Sequence, residues 1–214
     1  VAEMAEWFLE HRDSSIYIND QYLVDILIWY HLAWMGETVR RNDKRIKGLM
    51  KKGGGYTYRD RRLLLEVIGE LMDGIIPRYR ALAERGQIEL SVTPYAHPIV
   101  PLLLDFQSAR EAMPDIVLPA LDQYPGGEAR VQWQINQGLE TFERYFGFRP
   151  AGCWPSEGGV SDSALRAFES AGFRWVATGE NVLRHSLRHQ ALDDKDEGHR
   201  AYALQDASMA CFFR

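Results

Sequence analysis

Residues 151–178, AGCWPSEGGVSDSALRAFESAGFRWVAT, constrain the fold more than any other stretch of the chain. An apolar run at 151–154 leads into a loop and then into DSALRAFESA, with Ser161 placed to cap it, Gly172 after it, and a second apolar run at 173–178. A serine hydroxyl accepts from first-turn amides, and glycine takes the left-handed backbone that closes a helix. Strand, loop, helix, glycine and strand in that order make a βαβ unit, whose strands lie parallel beneath a crossing helix. The expected class is therefore α/β with a parallel sheet or barrel.

The flanking segments extend that pattern. QIELSV, residues 87–92, alternates strictly, with Ile88, Leu90 and Val92 on one face and Gln87, Glu89 and Ser91 on the other. In a closed barrel that polar face points into the mouth. A short helix is expected near FQSAREAM and a long one over EARVQWQINQGLETFERYF, ending at Gly147, while SMACFFR at the end of the chain reads as a strand with no turn or cap after it.

Residues before about 80 read as helical. DQYLVDILIWYHLAWM, residues 20–35, is apolar around most of a helical circumference, which predicts a helix buried on several sides. Over residues 58–86, Leu64, Val67, Ile68, Leu71 and Ile75 form a helical stripe, with Pro77 expected to bend or break it and Gly86 to end it. Between these helices RRNDKRIKGLMKKGGGYTY is basic and then glycine-rich. It lacks the Gly-Lys-Ser/Thr element of a phosphate loop and reads as a solvated excursion.

The chain of 214 residues, 46% of them hydrophobic, suffices for one domain. Its net charge of −5, with scattered arginines, gives no nucleic-acid footprint and favours a neutral or polar small substrate. Cys153 and Cys211 lack metal-ligand or disulfide-framework spacing and read as buried free thiols of a cytoplasmic protein. There is no basic-then-apolar leader at the start, and no apolar run reaches the roughly 18 residues of a membrane span. Neither a membrane partner nor a cofactor is expected. The absent initial Met and the uncapped final strand point to a fragment.

In barrels built from βα units, the loops after the strands carry the chemistry. Three successive strand ends here present His97 with Tyr95, Glu157 with Trp154, and Glu180 after Thr178. Gly158 and Gly159 would let a ligand approach the backbone beside Glu157. Aromatic rings gathered with carboxylates suit a sugar, whose C–H faces stack while its hydroxyls hydrogen-bond. From pattern alone Glu157 is either catalytic or an ordinary charge on an exposed turn.

GQIELSVTPYAHPIVPLLLD and GCWPSEGGVSDSALRAFESAGFRWVATGE resemble two signature regions of glycoside hydrolase family 57, and the helical segments before them resemble the family as well, over most of residues 20–187. The resemblance implies a partial (β/α)7 barrel, an incomplete TIM-like barrel, with a helical segment at about 1–80 and barrel elements over 87–214. It implies a retaining enzyme acting on an α-glucan or maltooligosaccharide, hydrolase or transglycosylase, with Glu157 as nucleophile. His97, Tyr95 and Trp154 would line the sugar subsite, Glu89 would support them, and no metal takes part. The family's acid pair reads Thr178-Gly179-Glu180 here, with glycine where Asp is common, and Glu180 is expected among the substrate-binding residues. The family's His-Gln-Pro strand has no counterpart, and its general acid, an Asp, is expected beyond Arg214. A truncated, inactive catalytic domain is therefore the expectation.

Two other functions fit parts of the sequence. HSLRH, residues 185–189, matches the His-Ser-x-x-His string of metal-dependent carbohydrate deacetylases, and its i, i+4 spacing brings two imidazoles to one helix face, although the Asp-Asp strand motif is missing. A non-catalytic glucan-binding homologue is the other. RHQALDDKDEGHRAY, residues 188–202, reads as a hydrophilic loop.

Overall fold

The computed structural model describes residues 2–11, 18–121, 123–189 and 200–214. Two units divide the chain, Val1–Ile75 and Ile76–Arg214. Each has its own apolar core.

The first unit is helical: α1 (Ala2–Glu10), α2 (Asp20–Trp34), α3 (Glu37–Asn42), α4 (Lys44–Lys52) and α5 (Tyr58–Asp73). Local capping sets these boundaries. Asn19 accepts from the Tyr22 amide at the start of α2, Asp43 accepts from the Arg45 and Ile46 amides, and Thr57 and Asp60 form a reciprocal capping box on α5. Ile28 and Leu32 of α2 pack with Ile46, Leu49, Leu64 and Val67. That contact buries one stripe of α2. Leu23, Leu27, Tyr30 and Trp34 stay exposed, so the helix is not buried on several sides as its composition predicts. The reason is that α4 and α5, its partners in this unit, cover a single face.

The glycine run is not a free excursion. Asp25, a buried residue of α2, accepts from the amides of Gly55 at 2.8 Å and Tyr56 at 2.9 Å and from Gln21 Nε2 at 2.8 Å. Trp29 Nε1 donates to the Gly53 carbonyl at 2.9 Å. Gly53 and Gly55 both hold positive φ, 76° and 62°, the backbone that lets the turn face its amides toward the carboxylate. Desolvation would raise the Asp25 pKa, but the Tyr56, Gly55 and Gln21 hydrogen bonds outweigh it and hold the group below the usual value.

The second unit comprises α6 (Ile75–Glu84, starting at the last residue of the first unit), β1 (Ser91–Val92), α7 (Val100–Leu104), α8 (Ala109–Ala112), α9 (Gly127–Phe146), β2 (Gly152–Cys153), α10 (Asp162–Ser170), β3 (Trp175–Thr178), α11 (Glu180–His189), β4 (Tyr202–Ala203) and β5 (Ala210–Phe213). The helical break expected at Pro77 falls at Gly74 instead. Pro77 sits in the first turn of α6, where its missing N–H has no intrahelical acceptor to lose. Gly86, at φ 66°, follows the end of α6, and Gly147, at φ 80°, caps α9.

The sheet runs β1-β2-β3-β5-β4, parallel except for β4 against β5, and among the described residues it is open. The class is α/β, as the βαβ reading requires. Val92, Cys153, Val176 and Cys211 stand in one register row and face a core with Val131, Ile135 and Leu139 of α9 and Ala164 and Phe168 of α10. The next row, Ser91, Gly152, Trp175 and Ala210, points to the opposite side. Only Ser91 and Val92 of the predicted strand 87–92 pair, because the partner segment preceding Gly152 is Arg149-Pro150-Ala151, whose proline has no ladder donor. Burial lifts the Cys153 thiol to about 12 and raises that of Cys211; both are free. No helix among the described residues is long and apolar enough to cross a membrane. Most of the predicted hydrophilic loop at 188–202 lies outside the described residues.

Candidate active site

Two loops, each leaving the C-terminal end of a strand, bring His97 and Glu157 together. The first, TPYAHP after β1, is fastened to α9: the Tyr95 amide donates to the Gln134 carbonyl at 3.0 Å and the Ala96 amide to Gln134 Oε1 at 2.8 Å. Gly138, one turn further along the helix, allows this approach. A Cβ there would stand 3.3 Å from both the Thr93 carbonyl oxygen and the Tyr95 nitrogen, tighter than ordinary contact. The loop then turns at His97, whose amide donates to the Pro94 carbonyl and whose φ is 57°.

The second loop begins after β2. Trp154 N–H donates to the Val92 carbonyl and Thr93 Oγ1 donates to the Trp154 carbonyl, so the two loops leave the sheet laced to each other. Pro155 and Ser156 are buried, and the chain folds through a tight turn in which the Gly158 amide reaches Pro155 O and the Gly159 amide reaches Ser156 O, both at 2.9 Å. Glu157 rides on top of that turn at φ 54°, ψ 17°. Its carboxylate Oε1 lies 3.0 Å from His97 Nε2. An ionised carboxylate only accepts, so with Glu157 charged the shared proton lies on His97 Nε2.

Among the described residues three non-glycine positions have positive φ, and His97 and Glu157 are two of them. Left-handed backbone costs a residue with a Cβ about 1–2 kcal/mol. Two such costs within one hydrogen-bonded side-chain pair mark a place where geometry has been selected over local comfort. Both side chains remain largely exposed, so their mutual attraction adds little to stability.

The remaining predicted residues divide. Trp154 stands beside this pair in the chain, with the Arg214 guanidinium 5.5 Å from its ring centroid. Tyr95 is exposed and packs edge-on against Trp133 of α9, at 5.8 Å between centroids. Glu180 begins α11, and its carboxylate is held by Arg184 one turn later at 2.6 Å. Glu89 is on the polar face of its segment, as alternation predicts, but at the wrong end of the strands to support Glu157. It accepts from Trp175 Nε1 at 2.7 Å, and Trp175 is the first residue of β3 whereas Glu157 follows the last residue of β2. The reason is register: β1 pairs only from Ser91 onward, leaving Glu89 before the ladder begins.

Three further residues of this region are not among the expected site residues. Gln134 interrupts the apolar stripe Val131, Ile135, Leu139 and Phe142 of α9, and a polar residue at a buried helical position is the signal that betrays it. Arg214 and the hydroxyl of Thr178 leave no such mark. Both His185 and His189 lie on α11, but the His189 side chain is outside the described set. Among the described residues no three His, Cys, Asp or Glu gather as a metal site, and the deacetylase reading is not favoured. A cavity of about 510 Å³ lies on the helix side of the sheet, lined by Val160, Leu165, Leu187, Tyr202 and Phe213 among others, and includes neither His97 nor Glu157.

Comparison with known proteins gives a match of the chain, over residues 5–214, to the model of Glycosyl hydrolase family 57. Among solved structures the fold is similar to the alpha-amylase AmyC from Thermotoga maritima, with a TM-score of 0.52 and 14% identity, over 91% of this chain and 31% of that one. The GH57-type branching enzyme from Pyrococcus horikoshii gives a TM-score of 0.47 and 19% identity over 89% of this chain and 32% of that one. The 4-alpha-glucanotransferase from Thermococcus litoralis gives 0.46 and 20% over 71% and 20%. The chain thus spans less than a third of each of these proteins. No curated protein matches it by sequence.

Proposed function

The chain belongs to glycosyl hydrolase family 57, and on that premise we propose that it carries the nucleophile of a retaining glycoside-cleaving enzyme acting on α-glucans, with Glu157 in that role. The observation that carries the reading is the hydrogen bond between His97 and Glu157, two strand-end residues both held in left-handed backbone. A glutamate decorating a surface turn needs neither the strained backbone nor the partner.

In the first half-reaction a carboxylate oxygen of Glu157 bonds to the anomeric carbon as the bond to the departing sugar oxygen breaks, and a second carboxyl group protonates that oxygen. His97, donating from Nε2 to Oε1, leaves the other oxygen of Glu157 for attack and its own Nδ1 to meet a sugar hydroxyl as the substrate settles. Trp154 offers an apolar ring to a sugar face, as Tyr95 does from the neighbouring loop. In the second half-reaction water or a sugar hydroxyl, giving its proton to the second carboxyl group, displaces Glu157 from the anomeric carbon, which yields hydrolysis or glucosyl transfer. Retaining chemistry places the two carboxyl groups about 5–5.5 Å apart. Glu180, engaged by Arg184, is not assigned the proton donor's part.

The stereochemistry of the product tests this reading. Proton NMR of maltooligosaccharide cleavage by the native gene product should show α reducing ends forming first. Initial β product would mean inversion and would remove Glu157 from the role of nucleophile.

A further inference from the structure

Resting on the reading of Glu157 as nucleophile, we propose that Thr178 is the positioning residue that locks the nucleophile turn. Thr178 is the last residue of β3 and only 2% exposed. Its Oγ1 donates to the carbonyl of Gly158 at 2.5 Å. That carbonyl belongs to the residue immediately after Glu157.

The turn needs such a lock. Glu157 and Gly158 are consecutive left-handed residues, at φ 54° and 67°, followed by a second glycine. Paired glycines leave the Gly158–Gly159 peptide without the Cβ contacts that would otherwise resist its rotation. Rotation of that peptide would break the bond from the Gly159 amide to the Ser156 carbonyl that closes the turn under Glu157, and so loosen the support that holds Glu157 at His97. The Thr178 hydroxyl is the side-chain donor that fixes the Gly158 carbonyl, and β-branching on an extended backbone restricts the χ1 angle that aims it. The approach is close, since a Cβ at Gly158 would lie 3.2 Å from Thr178 Oγ1.

Thr178 is itself held from the far side. Its carbonyl accepts from the Arg214 amide at 3.0 Å, and the Arg214 carbonyl accepts from the Glu180 amide at 2.9 Å. Arg214 in turn covers the Trp154 ring. One threonine therefore ties the loop after β2 to the ends of β3 and β5. A buried threonine satisfying only its own hydroxyl would affect stability and leave the rate untouched, and this difference makes the inference testable.

The experiment measures kcat, KM and Tm for Thr178→Val, Thr178→Ala and Thr178→Ser in the native gene product, assayed on maltooligosaccharides well below each Tm, with Glu157→Gln in parallel. Small misplacements of a reacting group cost up to about 100-fold in rate. Thr178→Val and Thr178→Ala should each lower kcat by about 10- to 100-fold with KM nearly constant, and Thr178→Ser should restore most of it. If the valine variant does not fold, the ratio of kcat for serine over alanine decides, because these differ in the hydroxyl alone. Parent-like kcat in the folded Val or Ala variant, alongside an inactive Glu157→Gln, overturns the inference and spares the nucleophile. Full turnover by Glu157→Gln overturns the nucleophile assignment, and the proposed role of Thr178 falls with it.

Discussion

Replacing Asp25 by Asn tests whether the glycine turn of the helical unit is built around a carboxylate. Oδ1 of Asp25 accepts from Tyr56 N–H and Gln21 Nε2, and Oδ2 accepts from Gly55 N–H. Asparagine can keep its oxygen toward Tyr56 and Gln21, but its NH2 then faces the Gly55 amide, donor against donor. One charge-assisted bond, worth about 1.5–3 kcal/mol, is lost, and two others fall to the neutral value of about 0.5–1.5 kcal/mol each. Relief of the carboxylate's desolvation gives part of this back. The net expectation is a loss of about 2–3 kcal/mol, seen in urea denaturation and as faster hydrogen exchange at Gly55 and Tyr56.

The acid dependence has a definite sign. Because the folded pKa of Asp25 lies below its ordinary value, its stabilisation is present above the unfolded pKa of about 3.9 and is lost as pH falls through the lower folded value. Parent and Asp25→Asn should therefore converge in strong acid and differ most at neutral pH. Equal stability at pH 7, within about 0.5 kcal/mol, would refute the claim that the turn's amides depend on this charge.

Two further outcomes concern the sheet unit. His97→Ala should weaken both substrate binding and turnover, and neither parent nor variant should respond to a chelator; activity that vanishes with EDTA and returns with zinc would place a metal where none is proposed. Cys153, whose thiol burial pushes to about 12, should resist iodoacetamide at pH 8 in the folded protein and react after denaturation, whereas rapid labelling of the native state would contradict the core described for β2.

The legible parts of this fold are those with strong local signals. Ser161 caps α10 and Gly172 follows it at φ 93°, so the βαβ unit could be read from residues 151–178 alone. The long helix ending at Gly147 was equally plain. Less was written in α2, where apolar content all around the helix does not say how many faces a unit of this size will cover. Pro77 misplaced the break because proline is harmless in a first turn, while Gly74, three residues earlier, ends α5. Register is the other silent quantity. Alternation put Glu89 on the correct face but could not say that pairing starts two residues later, and so could not separate it from Glu157. His97 and Glu157 could be nominated as strand-end residues, yet their hydrogen bond and left-handed backbones are properties of two loops brought together from 60 residues apart. The hydroxyl of Thr178 is a case of the same kind over 20 residues, since nothing near it in sequence shows that it faces Gly158.

The most direct test of the central claim is to trap the glycosyl-enzyme. Incubating the native gene product with a 5-fluoro-α-glycosyl fluoride, digesting it and sequencing the modified peptide by mass spectrometry locates the residue that attacks the anomeric carbon. The label should sit on Glu157, within the peptide that carries Trp154 and Gly158, and should be absent from Glu157→Gln. A label on any other carboxylate would contradict the account.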